Sequence, residues 1–358
     1  MPLPQGWPCN GPLLDLARDV AERLLPAFNT TTGMPYGSIN LRHGVDKNET
    51  PVTCTAGVGT YIVEFGALSR LTGDTRFEDA AFRALESLYE HRSEIGLLGN
   101  HINTKTGHWT ASESGIGAGV DSYFEYLVKG YVLFNDRRLL KMWRNLEAPI
   151  EKFLNSNDWY IWANMKSGTT TQVICHNGKQ YNIILKVIAQ SLDCFIPGMK
   201  TLLGEVEDAM KTHLNYYSVF NKFNGWPEFY SINQQAPIQG REGFPLRPEF
   251  IESTLYLYQA TGDPILLEMG AEFLFAINNT ARTNCGFATV DSVVTGKRAD
   301  RMESFYIAET LKYLYLLFDP DHWLLKSSKS SGDIIQVDGK GECIIDQGGW
   351  IFNTEGYF

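Results

Sequence analysis

Four times along this chain, two helical stretches meet at a short turn that ends in an acidic residue. The turns are Leu71-Thr-Gly-Asp74, Leu133-Phe-Asn-Asp136, Leu203-Gly-Glu205 and Ala260-Thr-Gly-Asp263, and they recur at intervals of about sixty residues. Such punctuation, a helix, a tight acidic turn and another helix, specifies helical hairpins of about sixty residues each. After the first turn, Phe77, Ala80, Ala81, Ala84, Leu85 and Leu88 keep the spacing of a helix with one buried stripe. After the last, Pro264 opens a helix carrying Ile265, Leu266, Met269, Phe273 and Ile277. Leu13 to Leu25 reads as a further amphipathic helix, with Asp15, Arg18, Asp19, Glu22 and Arg23 on its wet side. The pattern yields about ten helices and few, short β signals. With one helix of each pair more apolar than the other, the expected fold is all-α: an α/α barrel or toroid whose inner helices line a cavity.

Three helical segments set acids among aromatic and aliphatic neighbours. Phe244-Pro-Leu-Arg-Pro-Glu-Phe-Ile-Glu-Ser253 places Pro248 at a first helical position, with Glu249 and Glu252 on adjoining turns of one face. Arg247, one step outside, is placed to hold either carboxylate ionised. A first turn rich in acid also complements the helix dipole with no further role. In the second segment a flexible Gly115-Ile-Gly-Ala-Gly119 approach leads to Asp121, followed by Glu125 and Lys129 one and two turns on; Asp121 either caps the helix or faces a site. In the third, Glu303 and Glu309 flank Phe305, an arrangement that suits a wall for sugar rings and equally an ordinary helix core.

The net charge of −10 argues against a nucleic-acid or anionic-membrane partner and is compatible with a neutral polyol. No apolar run approaches the ~20 residues that span a bilayer. The start, Met1-Pro-Leu-Pro-Gln-Gly-Trp-Pro-Cys9, shows no signal peptide. Asn29-Thr-Thr, Asn48-Glu-Thr and Asn278-Asn-Thr are sequons that permit a secretory address. The six cysteines, Cys9, Cys54, Cys175, Cys194, Cys285 and Cys343, form no C-x-x-C pair, which speaks against a zinc or redox motif and leaves one or two structural disulfides open. Dinucleotide, Walker, H-E-x-x-H and EF-hand patterns are absent. Asn100-His101 and Gly107-His108 lie in a loop that fits surface histidines better than ligands.

Four stretches in order, Gly117-Ala-Gly-Val-Asp-Ser-Tyr-Phe-Glu-Tyr-Leu-Val-Lys129, Leu246-Arg-Pro-Glu-Phe-Ile-Glu-Ser253, Met302-Glu-Ser-Phe-Tyr-Ile-Ala-Glu-Thr310 and Asn353-Thr-Glu355, resemble the motifs of glycoside hydrolase family 47, the class I α-1,2-mannosidases. Val52-Thr-Cys-Thr-Ala-Gly-Val-Gly59 and Gly115 to Gly119 are most similar to its endoplasmic-reticulum degradation-enhancing branch. The resemblance implies an (α/α)7 barrel, a Ca²⁺ ion and hydrolysis with inversion, which needs an acid at the glycosidic oxygen and a base on the other face. It implies Glu249 as the base with Arg247 keeping it ionised, and Asp121 as the second catalytic carboxylate, assisting the acid through water or acting as it. Glu252, Glu309 and Glu355 would bind sugar hydroxyls, Phe305 would form a stacking wall, and Thr354 would bind Ca²⁺ through oxygen.

The implied protein trims high-mannose N-glycans on misfolded glycoproteins in the lumen of the endoplasmic reticulum, with a disulfide-isomerase-type partner reached through a cysteine. One single barrel domain over residues 1–358 is expected, incomplete at its N-terminus, because the family's other catalytic glutamate has no match here. Residues 173–189 match nothing in the family and read as an insertion, and the ending Gly356-Tyr-Phe358 departs from the family's small residue, His and Pro. Two alternatives stand beside the enzyme: a mannose-binding quality-control factor that does not cleave, and a six-hairpin α/α glycosidase acting on another sugar.

Overall fold

The computed structural model describes residues 12–170, 172–176, 179–183, 187–325, 333–337, 341–345 and 350–353. Two compact units emerge, one of Met1–His91, His101–Thr110 and Asp321–Phe352, the other of Arg92–Asn100, Ala111–Pro320 and Asn353–Phe358. The first holds α1 (Pro12–Leu24), α2 (Thr55–Gly59), α3 (Ile62–Thr72) and α4 (Arg76–Glu90). α3 and α4 pack as a hairpin, and Val52–Cys54 pairs antiparallel with His101–Asn103. Of α1 only Ala21 is buried, and Leu13, Leu16 and Val20 lie in water.

The second unit contains α5 (Asp121–Phe134), α6 (Arg137–Phe153), α7 (Ile196–Leu202), α8 (Val206–Phe223), α9 (Glu249–Thr261), α10 (Pro264–Thr280) and α11 (Lys312–Phe318). Its helices are of two kinds. α5 buries every residue from Ser122 to Gly130, α7 from Ile196 to Thr201, and α9 from Phe250 to Leu257. α6 buries one stripe, Leu139, Met142, Trp143, Leu146 and Ile150, and α10 another, Leu266, Met269, Gly270, Phe273, Ala276 and Ile277. A helix buried all round is a core helix, and one with a single stripe covers it. The core helices run as neighbours, α5 on α7, α7 on α9 and α9 on α11.

The acidic turns do what their residues allow. Gly73, Asn135 and Gly262 end their helices in the left-handed region, each N–H returning to a carbonyl four residues back, while Asp136 and Asp263 accept the N–H of Arg138 and Ile265 to start the next helix. In the segment read as an insertion, Gln172–His176 and Lys179–Ile183 pair as an antiparallel hairpin. Its expected end at residue 189 runs into structure: Ile188–Gln190 pairs with Phe229–Ser231, with Ile188 and Ala189 buried.

Candidate active site

A cavity of about 120 Å³ opens where α5 and α9 begin, lined by Asp121, Ser122, Glu125, Arg247, Glu249, Glu252, Phe305 and Glu309 among others. Six of the eight predicted site residues therefore meet at one place; the other two, Thr354 and Glu355, lie outside the described residues. Asp121 is the first residue of α5 and caps nothing: Val120 holds the cap position, and Asp121 Oδ1 accepts the N–H of Ser122 at 2.8 Å. α9 starts at Glu249, one residue later than expected, with Pro248 in the cap position. It is pinned from behind, since Ser253 Oγ accepts Gly198 N–H at 2.8 Å and donates to Cys194 O at 2.5 Å.

Arg247 does not lie on Glu249. Its guanidinium grips Glu228 through two bonds, Nε to Oε1 at 2.6 Å and Nη2 to Oε2 at 2.9 Å, and sits 5.5 Å from the centre of the Phe305 ring. Such a planar, two-point pair fixes orientation as well as charge. Leu246, just before it, is buried with φ 64°, a left-handed conformation that a branched side chain adopts at a cost of roughly 1–3 kcal/mol. Its carbonyl accepts the Thr310 hydroxyl at 2.6 Å, which ties the strained turn to the π-helical stretch Tyr306–Leu311 that carries Glu309. Beneath the cavity, Lys129 is buried between two acids, donating to Glu125 and, at 3.0 Å, to Glu252 Oε1. Burial opposes the lysine's charge, yet Glu125 and Glu252 raise its pKa well above the ordinary value.

The two central carboxyls are shifted most usefully. Burial raises Asp121 to about 7, against the backbone bond from Ser122 and with Glu125 adding to the rise. Burial raises Glu249 to about 8, and Arg247 opposes the shift without cancelling it. Arg247 is held by Glu228 and still favours ionised Glu249, but burial outweighs it, and Glu249 Oε2 has no partner among the described residues. Two carboxyls titrating near neutrality in one cavity are suited to moving protons to and from a neutral substrate.

Sequence reasoning missed Glu228. It lies 19 residues before Arg247, in Trp226-Pro-Glu-Phe-Tyr230, the same pattern of an acid among aromatics that marked the other segments. No group of three or more His, Cys, Asp or Glu among the described residues is disposed to hold a metal, and the expected Ca²⁺ ligand Thr354 is outside them. Cys54, Cys194 and Cys285 are unpaired, Cys285 alone being exposed. No described helix is long and apolar enough to cross a membrane.

An all-helical hairpin fold with an acidic, aromatic-walled cavity at the starts of its core helices is the architecture of α/α-barrel carbohydrate enzymes. The chain belongs to glycosyl hydrolase family 47, whose sequence profile matches residues 9–358. It is 51% identical over 352 residues to the human ER degradation-enhancing alpha-mannosidase-like protein 2, covering 98% of this chain and 58% of that protein. An alpha-mannosidase I of Arabidopsis thaliana is 40% identical over 350 residues, covering 97% of this chain and 51% of the relative. The chain thus spans little more than half the length of these relatives. In fold it matches the alpha-1,2-mannosidase from Trichoderma reesei at a TM-score of 0.75 and 22% identity, over 93% of this chain and 74% of that one. A D-mannose isomerase matches at 0.60 and 13% identity, over 86% of this chain and 81% of that one.

Proposed function

We propose that this chain carries the glycone-binding and catalytic face of an inverting α-1,2-mannosidase that trims N-glycans of misfolded glycoproteins in the endoplasmic reticulum, for their degradation. The observation that carries this reading is the meeting of Asp121 and Glu249, both held near neutral pKa, beside Phe305 and the acids of one cavity. Glu249 takes a proton from the water that attacks the anomeric carbon on one face of the sugar, and Asp121 serves as the second carboxyl, delivering a proton to the leaving oxygen, directly or through water, as its bond to that carbon breaks. The acidic walls favour the positive charge that develops on the ring. Glu252, Glu309 and Glu355 hold hydroxyls, while Arg247, fixed by Glu228, positions the Phe305 wall. Thr354 would hold Ca²⁺ through oxygen, and the ion would supply coordination to sugar hydroxyls. A thiol-exchange partner of the degradation pathway would reach Cys285 among the described cysteines.

The test is incubation of the protein with a high-mannose N-glycan and Ca²⁺, with Glu249→Gln and chelator controls, following mannose loss by mass spectrometry. Loss abolished by both controls is expected. Because Glu249 must lose its proton near pH 8 to act as a base while Asp121 must keep one near pH 7 to act as the acid, kcat/KM should rise from about pH 6 to a maximum near ~7.5 and fall again above it. A profile already flat below pH 6 would overturn the role given to Glu249. One observation favours a second reading, a lectin that binds without cleaving: a Glu249 protonated at neutral pH donates a hydrogen bond to a sugar better than it activates water. Glycan binding with no mannose loss up to pH 8.5 would decide for it.

A further inference from the structure

The glycine-rich approach to Asp121, expected to be flexible, is gripped on both sides of a single residue. The N–H of Ala118 donates to Gln190 Oε1 at 2.9 Å, and its carbonyl accepts from Asn100 Nδ2 at 2.8 Å. Gln190 is itself fixed, because it caps the 3-10 turn Ser191–Phe195: its side chain accepts the Asp193 N–H, and Asp193 Oδ2 accepts the Gln190 N–H at 2.7 Å. The glycines are required by this grip. A Cβ on Gly117 would stand 2.5 Å from both Asp193 Oδ1 and Gln190 Oε1, and one on Gly119, at φ +84°, would stand 2.8 Å from Asn100 Oδ1. The carbonyl of Gly117 then accepts the N–H groups of both Val120 and Asp121 at 3.0 Å, so the grip reaches Asp121 through one turn of chain.

None of Asn100, Gln190 and Asp193 lines the cavity. Asp193 is 1% exposed, and its Oδ1 has no hydrogen-bond partner among the described residues. Two side-chain amides and a buried carboxyl spent on one largely buried loop exceed what a helix start needs, since α5 could take a Ser or Asp cap instead.

We propose that Asn100, Gln190 and Asp193 form a positioning clamp on Ala118 that sets where Asp121 presents its carboxyl to the substrate. The proposal rests on the hydrolase reading for its kinetic consequence and stands apart from it in its structural one. In an oriented reaction a misplacement of about 1 Å costs up to ~100-fold, so a clamp has an effect on rate out of proportion to its stabilisation.

Gln190→Met removes the acceptor for Ala118 while keeping length, and Asn100→Leu removes the donor on the other side. The expected result is a fall of ~10-fold or more in kcat for Gln190→Met and Asn100→Leu, with KM changed by less than about threefold. In parallel, NMR titration of ¹³C-labelled aspartate carboxyls, with the Asp121 signal assigned from Asp121→Asn, reads the clamp without turnover. Asp121 faces Ser122 and Glu125 of its own helix, Arg247 and Glu249 from α9 and its approach, and Asp193 from behind. Displacement within that set moves its midpoint in both clamp variants. A lowered Tm with kcat and the Asp121 midpoint unchanged would reduce the clamp to a brace and overturn the proposal. Absence of mannose release from the unmodified protein defeats the hydrolase reading alone, and the titration still decides the clamp.

Discussion

Asp121 and Glu249 are expensive residues to bury, and their cost has a sign that can be measured. Folding lifts both carboxyls from ordinary values to about 7 and about 8, so the folded protein holds protons that the unfolded chain has released. That contribution is complete below about pH 4 and is lost as pH rises through 7 and 8. Glu249→Gln replaces the protonated acid with a neutral amide of the same shape. It should leave stability nearly unchanged at pH 5 and raise it by on the order of 3 kcal/mol at pH 9, while abolishing mannose release; denaturant titration at the two pH values checks it. Equal effects at both would mean that the carboxyl is not held neutral by its surroundings. Lys129 has the opposite logic. Its single charge is shared between two buried acids, so Lys129→Met leaves Glu125 and Glu252 facing each other and should cost about 3–5 kcal/mol, read as a lowered denaturation midpoint with unchanged slope.

The hairpin turns and core helices were legible in the sequence for physical reasons that the pairings around the site do not share. A left-handed Gly or Asn followed by a capping acid is a local device, complete within four residues, and Asp263 shows it working: its carboxylate holds the N–H of Ile265 at 3.0 Å. Asp263→Ala should therefore destabilise by ~1 kcal/mol, a loss that thermal unfolding can read and that Asp263→Ser should largely restore. Motif and spacing likewise brought Asp121, Arg247, Glu249, Glu252, Phe305 and Glu309 to one cavity. What sequence could not supply was partnership across long separations. Arg247 stands two residues from Glu249, which made that pairing the natural one to read, yet the guanidinium turns to Glu228, 19 residues earlier. The turn that aims it depends on a left-handed Leu246 held by Thr310, 64 residues away, and no local propensity announces a strained leucine. The glycines before Asp121 misled in the same way: glycine suggests freedom, while here it gives Asn100, Gln190 and Asp193 room to close on Ala118.

At the scale of the molecule, the segment after Thr170 separates what the fold needs from what it carries. Gln172 pairs opposite Ile183, so the hairpin leaves and returns at one point, and its two ends lie about 5 Å apart. The strand beyond it belongs to the core, because Ile188 and Ala189 are buried and Gln190 holds Ala118. Excision of residues 172–183, leaving 184–186 as the link, should shift Tm by less than about 3 °C, within the range of a sub-kcal/mol change for a chain of this size, and should preserve glycan binding and any mannose release. Excision of 173–189 removes two buried apolar residues and moves the clamp residue behind Asp121 out of register. It should lose at least ~3 kcal/mol together with the neutral-range titration of Asp121. Differential scanning calorimetry and the aspartate titration of both deletions would place the boundary, and equal damage from the shorter deletion would show the hairpin to be part of the core.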